Sequence, residues 1–192
     1  MIRKTMFLLT ALALLGAAPA LAAPLLVTLV DVTPDGSNFL WTYTATTQLD
    51  EEFNNVEGAN NPDFFTIYDF AGFVSFGVVD SDFDASTQLV GVTPPLTVAP
   101  DNPSILNLTF TYAPDVAGAT RVGPILVSAI SEFDSPVLGF YAALTTSTLS
   151  NTNNTNVGNV PVPTPEPATL ALILAGAPVG LIGFLRRRKK NA

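Results

Sequence analysis

The chain of 192 residues contains no cysteine and no histidine. It therefore has no thiol nucleophile, no imidazole base and no disulfide. Lysine is confined to the two ends of the chain, which also excludes a Ser-Lys dyad from the long central part. The paired carboxylates of a glycoside hydrolase are the enzymatic alternative that remains. Because so many acids make close pairs inevitable, such pairs are weak evidence, and we expect a protein that is not an enzyme.

Positive charge is almost missing between residues 23 and 165. The whole chain has sixteen Asp and Glu against eight Lys and Arg, and seven of those eight cations lie in the two termini. Residues 23–165 retain fifteen acids and only Arg121, a formal charge of −14. Nucleic acid and anionic lipid headgroups both require clustered cations, so we expect neither to bind this part of the chain.

The N-terminus has the three parts of a secretory signal peptide. Arg3 and Lys4 precede an apolar run from Met6 to Leu15. Ala20 and Ala22 then form the small-x-small pattern of a cleavage site, with Ala23 as the first mature residue. We therefore expect residues 1–22 to be removed after export through the Sec translocon.

Residues 23–150 predict an all-β domain. Phe39 to Ala45 and Leu106 to Tyr112 alternate apolar and polar residues, as half-buried antiparallel strands do. The same alternation near the end places Leu138, Phe140, Ala142 and Leu144 on an inward face. More continuously apolar runs predict central strands covered on both sides, namely Leu25 to Val32, Phe64 to Phe70, Phe73 to Val79 and Ile125 to Phe133. Seven or eight strands separated by Pro- and Asn-rich turns indicate an antiparallel β-sandwich of jelly-roll or Ig-like type.

One acidic turn has the spacing of a calcium-binding loop. Asp80, Asp82 and Asp84 follow the D-x-D-x-D pattern that opens an EF-hand loop. Ala85 replaces the turn glycine, however, and Gly91 stands where the bidentate Glu belongs. The three carboxylates either converge on calcium or form a solvated acidic loop, and no other cofactor is expected. Asp69, inside an apolar run, would need hydrogen-bond donors or a cation if it were buried.

Aromatic residues suggest a second kind of binding site. Trp41, Tyr43 and Tyr141 could stack on sugar rings, although aromatics that alternate along a strand are expected in the core. A calcium- or carbohydrate-binding module is therefore the alternative to a structural or interaction protein.

The C-terminal part combines a polar segment with an apolar one. Residues 151–164 are rich in Asn, Thr and Pro and predict a disordered stalk. Residues 168–185 carry no charge and would span roughly 27 Å as a helix, enough for a transmembrane segment with little tilt. The cations that follow form a positive-inside stop-transfer signal: Arg186, Arg187, Arg188, Lys189 and Lys190. We expect one C-terminal helix in the inner membrane and the domain on the periplasmic side.

Pro165, Glu166 and Pro167, followed by the apolar segment and the basic end, carry a family resemblance. Residues 165–190 resemble the PEP-CTERM sorting signal of bacterial exosortase substrates. The resemblance implies recognition by an exosortase, cleavage of the tail and release to the cell surface or an extracellular polysaccharide matrix. It covers only the tail and implies a destination rather than an activity. We expect an acidic structural or interaction protein that is linked to exopolysaccharide or biofilm.

Overall fold

The computed structural model describes residues 23–55 and 62–165, and every regular element in these ranges is a β-strand. The strands are β1 (Leu25–Asp35), β2 (Asn38–Thr47), β3 (Glu51–Asn54), β4 (Phe64–Ile67), β5 (Phe73–Val79), β6 (Phe83–Gln88), β7 (Asn107–Tyr112), β8 (Thr120–Arg121), β9 (Ile125–Ser131), β10 (Pro136–Ser147) and β11 (Asn153–Pro163). All paired strands are antiparallel. The all-β antiparallel prediction is confirmed, but the described residues form eleven strands rather than seven or eight.

The strands form two sheets that share one core. The first sheet has the order β1-β2-β9-β5, and the second has the order β6-β7-β4-β10-β3-β8 with β11 paired along β10. Rings from the two sheets meet in the core: Phe76 of β5 lies edge-on to Phe110 of β7, with centroids 5.7 Å apart. The sheets are also joined by polar contacts, since the Tyr141 hydroxyl donates to the Leu25 carbonyl at 2.7 Å.

Strand β2 confirms the predicted alternation. Trp41, Tyr43 and Ala45 are fully buried, and Phe39 packs against the same core. Tyr141 is buried as well. The aromatics named as a sugar-stacking platform therefore belong to the core.

Strand β10 presents the opposite face from the one predicted. Tyr141 and Ala143 belong to the core cluster, whereas Leu138 is 67% exposed. Ala142 and Leu144 are buried too, but on the other face of the strand. The prediction was wrong because the segment is apolar at nearly every position, so alternation could not choose between the two faces.

Two of the four continuously apolar runs are edge strands rather than central ones. β1 and β5 border the four-stranded sheet, and Leu26, Val30, Val74 and Val78 on them are 45–59% exposed. The other two runs are confirmed as central, since β9 lies between β2 and β5, and β4 lies between β7 and β10. Composition reports that a strand is apolar, but its position in the sheet depends on contacts distant in sequence.

The predicted stalk at residues 151–164 is wrong. Residues 153–163 form β11, which pairs with β10 over eleven consecutive positions from Thr146–Asn153 to Pro136–Pro163. Asn154 Nδ2 donates to Glu51 Oε1 at 2.6 Å, and Asn156 Nδ2 donates to the Leu25 carbonyl at 2.9 Å. Val160 and Val162 are buried in the core. The domain therefore extends beyond residue 150 to the end of β11.

Composition misled here because each stalk-like residue finds a specific partner. The asparagines that suggest disorder in isolation donate hydrogen bonds to neighbouring strands. Pro161 and Pro163 occupy alternate positions of a strand that pairs on one side only, where a missing backbone N–H costs no ladder bond.

The strands give the domain two opposite ends, which we name by their residues. The exit end is where β11 finishes, and it comprises Trp41, residues 67–73, residues 104–106, Phe133 and residues 163–165. The carboxylate end lies at the other extremity of the strands and comprises Glu51, Glu52, Asp63, Asp80, Asp82 and Arg121. Residues 1–22 and 166–192 lie outside the described residues, so the signal peptide, the transmembrane helix at 168–185 and the basic stop signal stay predictions. Within residues 23–55 and 62–165, no helix could span a membrane.

Candidate functional site

The last strand leads directly into the tail. Pro163 pairs with Pro136 at the end of β11, and the Thr164 N–H donates to the Ser135 carbonyl at 3.0 Å. Pro165 follows at the surface and lines a cleft. The first residue of the predicted motif is therefore held against the domain, while Glu166 and Pro167 lie outside the described residues.

The cleft beside Pro165 has a volume of about 350 Å³ and no charged residue in its lining. Phe70, Phe73, Ile105 and Phe133 are among the apolar residues that line it. Trp41 lies beneath it, because the indole Nε1 donates to the Phe133 carbonyl at 2.9 Å and its ring meets Phe70 edge-on. Such a concave apolar surface fits an apolar partner rather than an ion.

Gly72 allows Phe133 to cover the floor of this cleft. Its φ of +64° lies in the left-handed region, and a Cβ at this position would approach the Phe133 ring to 2.7 Å. A side chain at residue 72 would therefore meet both backbone strain and a steric clash.

One wall of the cleft is held by a buried polar network. Asn107 is fully buried, and its Nδ2 donates to Asp101 Oδ1 at 3.0 Å and to the Leu89 carbonyl at 3.2 Å. Its Oδ1 accepts the Asp69 N–H at 2.8 Å. These bonds fasten the loop at residues 89–106 onto β7, and the end of that loop lines the cleft.

Asp69 has the hydrogen-bond donor that the sequence predicted it would need if it were buried. It adopts a left-handed φ of 57° at the end of the run after β4, and its Oδ1 accepts the Asn102 N–H at 2.8 Å. Burial raises the pKa of this carboxyl, the neighbouring Asp101 raises it further, and the hydrogen bond from Asn102 partly offsets both. The donor that a half-buried carboxylate needs is thus a backbone amide.

The predicted calcium ligands do not converge. Asp80 Oδ2 lies 2.9 Å from Arg121 Nη2, and Asp82 Oδ2 lies 3.9 Å from Arg121 Nη1. Asp84 is exposed on β6. No group of three or more acidic residues in the described ranges could hold a metal ion. The guanidinium of Arg121 occupies the place of a cation beside Asp80 and Asp82, so the structure does not support the calcium site.

Asp63 is the carboxyl with the most strongly raised pKa among the described residues, and no pattern in the sequence indicated it. Only 1% of its surface is exposed, and its Oδ2 accepts the Asn54 N–H at 2.8 Å and the Thr146 hydroxyl at 2.9 Å. Burial raises its pKa to about 7, and Glu51 and Glu52 add to the rise, while the two hydrogen bonds oppose it. Its position after Asn60-Asn61-Pro62 suggested only a turn.

Comparison with known families identifies a motif in the C-terminal tail. Residues 163–189 match the PEP-CTERM protein-sorting motif, so the match begins at the last residue of β11. No curated protein and no solved structure matches the chain. The chain therefore carries a PEP-CTERM protein-sorting motif at residues 163–189, which is consistent with an exosortase substrate.

Proposed function

We propose that this chain is an exosortase cargo: an acidic β-sandwich, of jelly-roll or Ig-like type, that acts at the cell surface or in an extracellular polysaccharide matrix. The observation that carries the proposal is the sorting motif, which continues directly from the last strand of a folded domain. A sorting signal joined to a folded domain is what an exported structural or interaction protein requires.

The proposed route begins with Sec-dependent export and cleavage between Ala22 and Ala23. Residues 168–185 then retain the precursor in the inner membrane, with the domain on the periplasmic side and the basic end in the cytoplasm. Exosortase recognises Pro165, Glu166 and Pro167 and removes the tail. The released domain keeps β11, because the strand precedes the motif's Glu166.

The proposed role is not catalytic. A raised pKa beside other carboxylates is also a feature of glycosidase acids, and Asp63 has it. Its carboxyl is enclosed, however, and its Oδ2 already accepts two protein hydrogen bonds. A substrate oxygen would have to displace these contacts. The charge of −14 instead favours solubility and repulsion between copies, which suits a protein dispersed among polysaccharide chains.

Mass spectrometry of surface material from the producing cells tests the route. We expect the recovered protein to begin at Ala23 and to lack Arg186 to Lys190. In the variant Glu166→Gln, we expect the precursor to keep its basic end and to stay in the membrane fraction.

The matched control is Asp134→Asn, which makes the same acid-to-amide change at an exposed position close to the motif in space. It should be processed like the wild type. Surface-located protein that retains Arg186 to Lys190 would contradict the proposed route, and equal processing of both variants would remove Glu166 from the recognised motif.

A further inference from the structure

The link between the domain and the apolar tail is very short. Thr164 is bonded to Ser135 and Pro165 lies against the domain, so the chain has no slack before residue 166. Only Glu166 and Pro167 separate Pro165 from the uncharged segment that begins at Ala168. Three Cα–Cα steps reach at most about 11 Å.

This length limits how far the exit end can lie from the membrane. If residues 168–185 are held in a bilayer, as the proposed function requires, the exit end must lie within that reach of the headgroups. In an upright domain the carboxylate end lies farther away, since seven residues of β5 alone extend roughly 23 Å between the two ends. A disordered stalk would have let the exit end move far from the membrane, but β11 holds it close to the start of the apolar tail.

The surface presented at the exit end is suited to that position. The cleft beside Pro165 is apolar and carries no charge in its lining. Val137, next to the residue that pairs with Pro163, adds an apolar side chain that is 48% exposed. Glu132 and Asp134, both exposed, flank Phe133, so a zwitterionic surface fits better than an anionic one.

We propose that the exit end, with its cleft beside Pro165, rests against the bilayer surface in the unprocessed precursor, and that the boundary between lipid headgroups and acyl chains is the partner of this cleft. The inference rests on the proposed membrane retention and adds an orientation to it. The carboxylate end then points away from the membrane until the tail is cut.

The absence of cysteine allows a direct test with single labels. Ser104→Cys places an environment-sensitive dye at the exit end, and Ser81→Cys places it at the carboxylate end. Both serines are exposed, and the hydroxyl of neither makes a hydrogen bond with the described residues. The chain without its signal peptide, residues 23–192, is reconstituted in phosphatidylcholine vesicles that contain a nitroxide quencher at the headgroup. Emission from Trp41, the only tryptophan, reports that each labelled variant is folded.

We expect the dye at residue 104 to lose at least about half of its intensity and to shift to the blue, because contact with the headgroup region places it within a few ångströms of the quencher. The dye at residue 81 should be unchanged. A flexible ten-residue Gly-Ser insertion after Pro165 should abolish the response at residue 104, since the short link is what holds the end in place.

Co-flotation with the vesicles separates the two hypotheses. A protein that does not float contradicts membrane retention itself. A protein that floats with equal quenching at both residues, or with stronger quenching at residue 81, keeps the retention and overturns the orientation. A protein that floats with no response at residue 104 also overturns the lipid contact and leaves the processing enzyme as the partner of the cleft.

Discussion

The two ends of the domain are packed in different ways. At the exit end, aromatic rings close the core, and Trp41 Nε1 needs only the Phe133 carbonyl as a partner. At the carboxylate end, Asp63 is buried among acidic neighbours and retains its place through donors on β3 and β10. Burial raises the pKa of Asp63 to about 7, so the second end should be the more sensitive to pH. β11 connects them, with bonded asparagines in its first half and buried valines in its second.

Removing β11 should have the largest effect, because it destroys both ends together. A chain stopped after Ser150 loses eleven paired positions and the burial of Val160 and Val162. Each buried valine contributes about 1.5–3 kcal/mol, and the whole free energy of unfolding of a domain is about 5–15 kcal/mol. Urea unfolding monitored by circular dichroism tests this. We expect residues 23–150 to show no cooperative transition. A chain stopped after Pro165 is the control and should unfold cooperatively. Equal stability of the two chains would instead support the prediction that residues 151–164 are a disordered stalk.

Asp63→Asn should remove most of the pH dependence of the carboxylate end. In the wild type the pKa is near 7 when folded and about 3.8 when unfolded. The protonated carboxyl therefore contributes its stability fully below pH 3.8, and this is lost as the pH rises to 7. The loss is at most about 4 kcal/mol, since one unit of pKa difference corresponds to about 1.4 kcal/mol.

Urea unfolding at several pH values between 4 and 8 measures this slope. The amide that Asp63→Asn introduces keeps an oxygen acceptor for Asn54 and Thr146 but has no charge to bury, so the variant should lose most of the slope. Asp134→Asn, at an exposed carboxyl, should keep it. The same slope in both variants would mean that Asp63 does not titrate in this range.

Gly72→Ala tests the packing beneath the cleft at the exit end. Gly36 is the matched control, because its φ is also positive, at 63°, but nothing lies within 4 Å of a Cβ there. Gly36→Ala should cost about 1 kcal/mol from backbone strain alone. Gly72→Ala should cost about 2–3 kcal/mol, since the Cβ also displaces the Phe133 ring. Thermal unfolding gives both values, and equal costs would show that Phe133 moves aside freely.

Arg121→Gln should have the smallest effect. Its side chain is 40% exposed, and exposed ion pairs contribute less than about 1 kcal/mol. The loss should disappear in 1 M salt, where the screening length is about 3 Å.

The same melting experiment with millimolar calcium should leave the melting temperature of the wild type unchanged. A rise in its melting temperature would revive the calcium site at Asp80, Asp82 and Asp84.

Local pattern identified the core-facing side chains where a strand has one apolar and one polar face. It was wrong about the polar face of β7, which is buried too, with Asn107 at 0% and Thr109 at 2% exposure. In β2 the alternation from Phe39 to Ala45 identified the buried side chains correctly. It failed for β10, where both faces are apolar, and for β1 and β5, whose place at a sheet edge depends on pairing. Asp63 and Asn107 gave no sequence signal, because their roles depend on donors and acceptors supplied by distant strands.

The sequence by itself determined the sorting motif and the all-β class, because both are written in residues that are neighbours in the chain. Tertiary structure decided where the domain ends. Residues 153–163 look too polar to fold, and they become a strand only because β10 offers a full ladder and the core offers room for Val160 and Val162. Ordering such a segment costs conformational entropy that only long-range contacts can offset. Because β11 is ordered up to Pro163 and Pro165 lies at the cleft, only two residues separate the packed domain from the apolar tail.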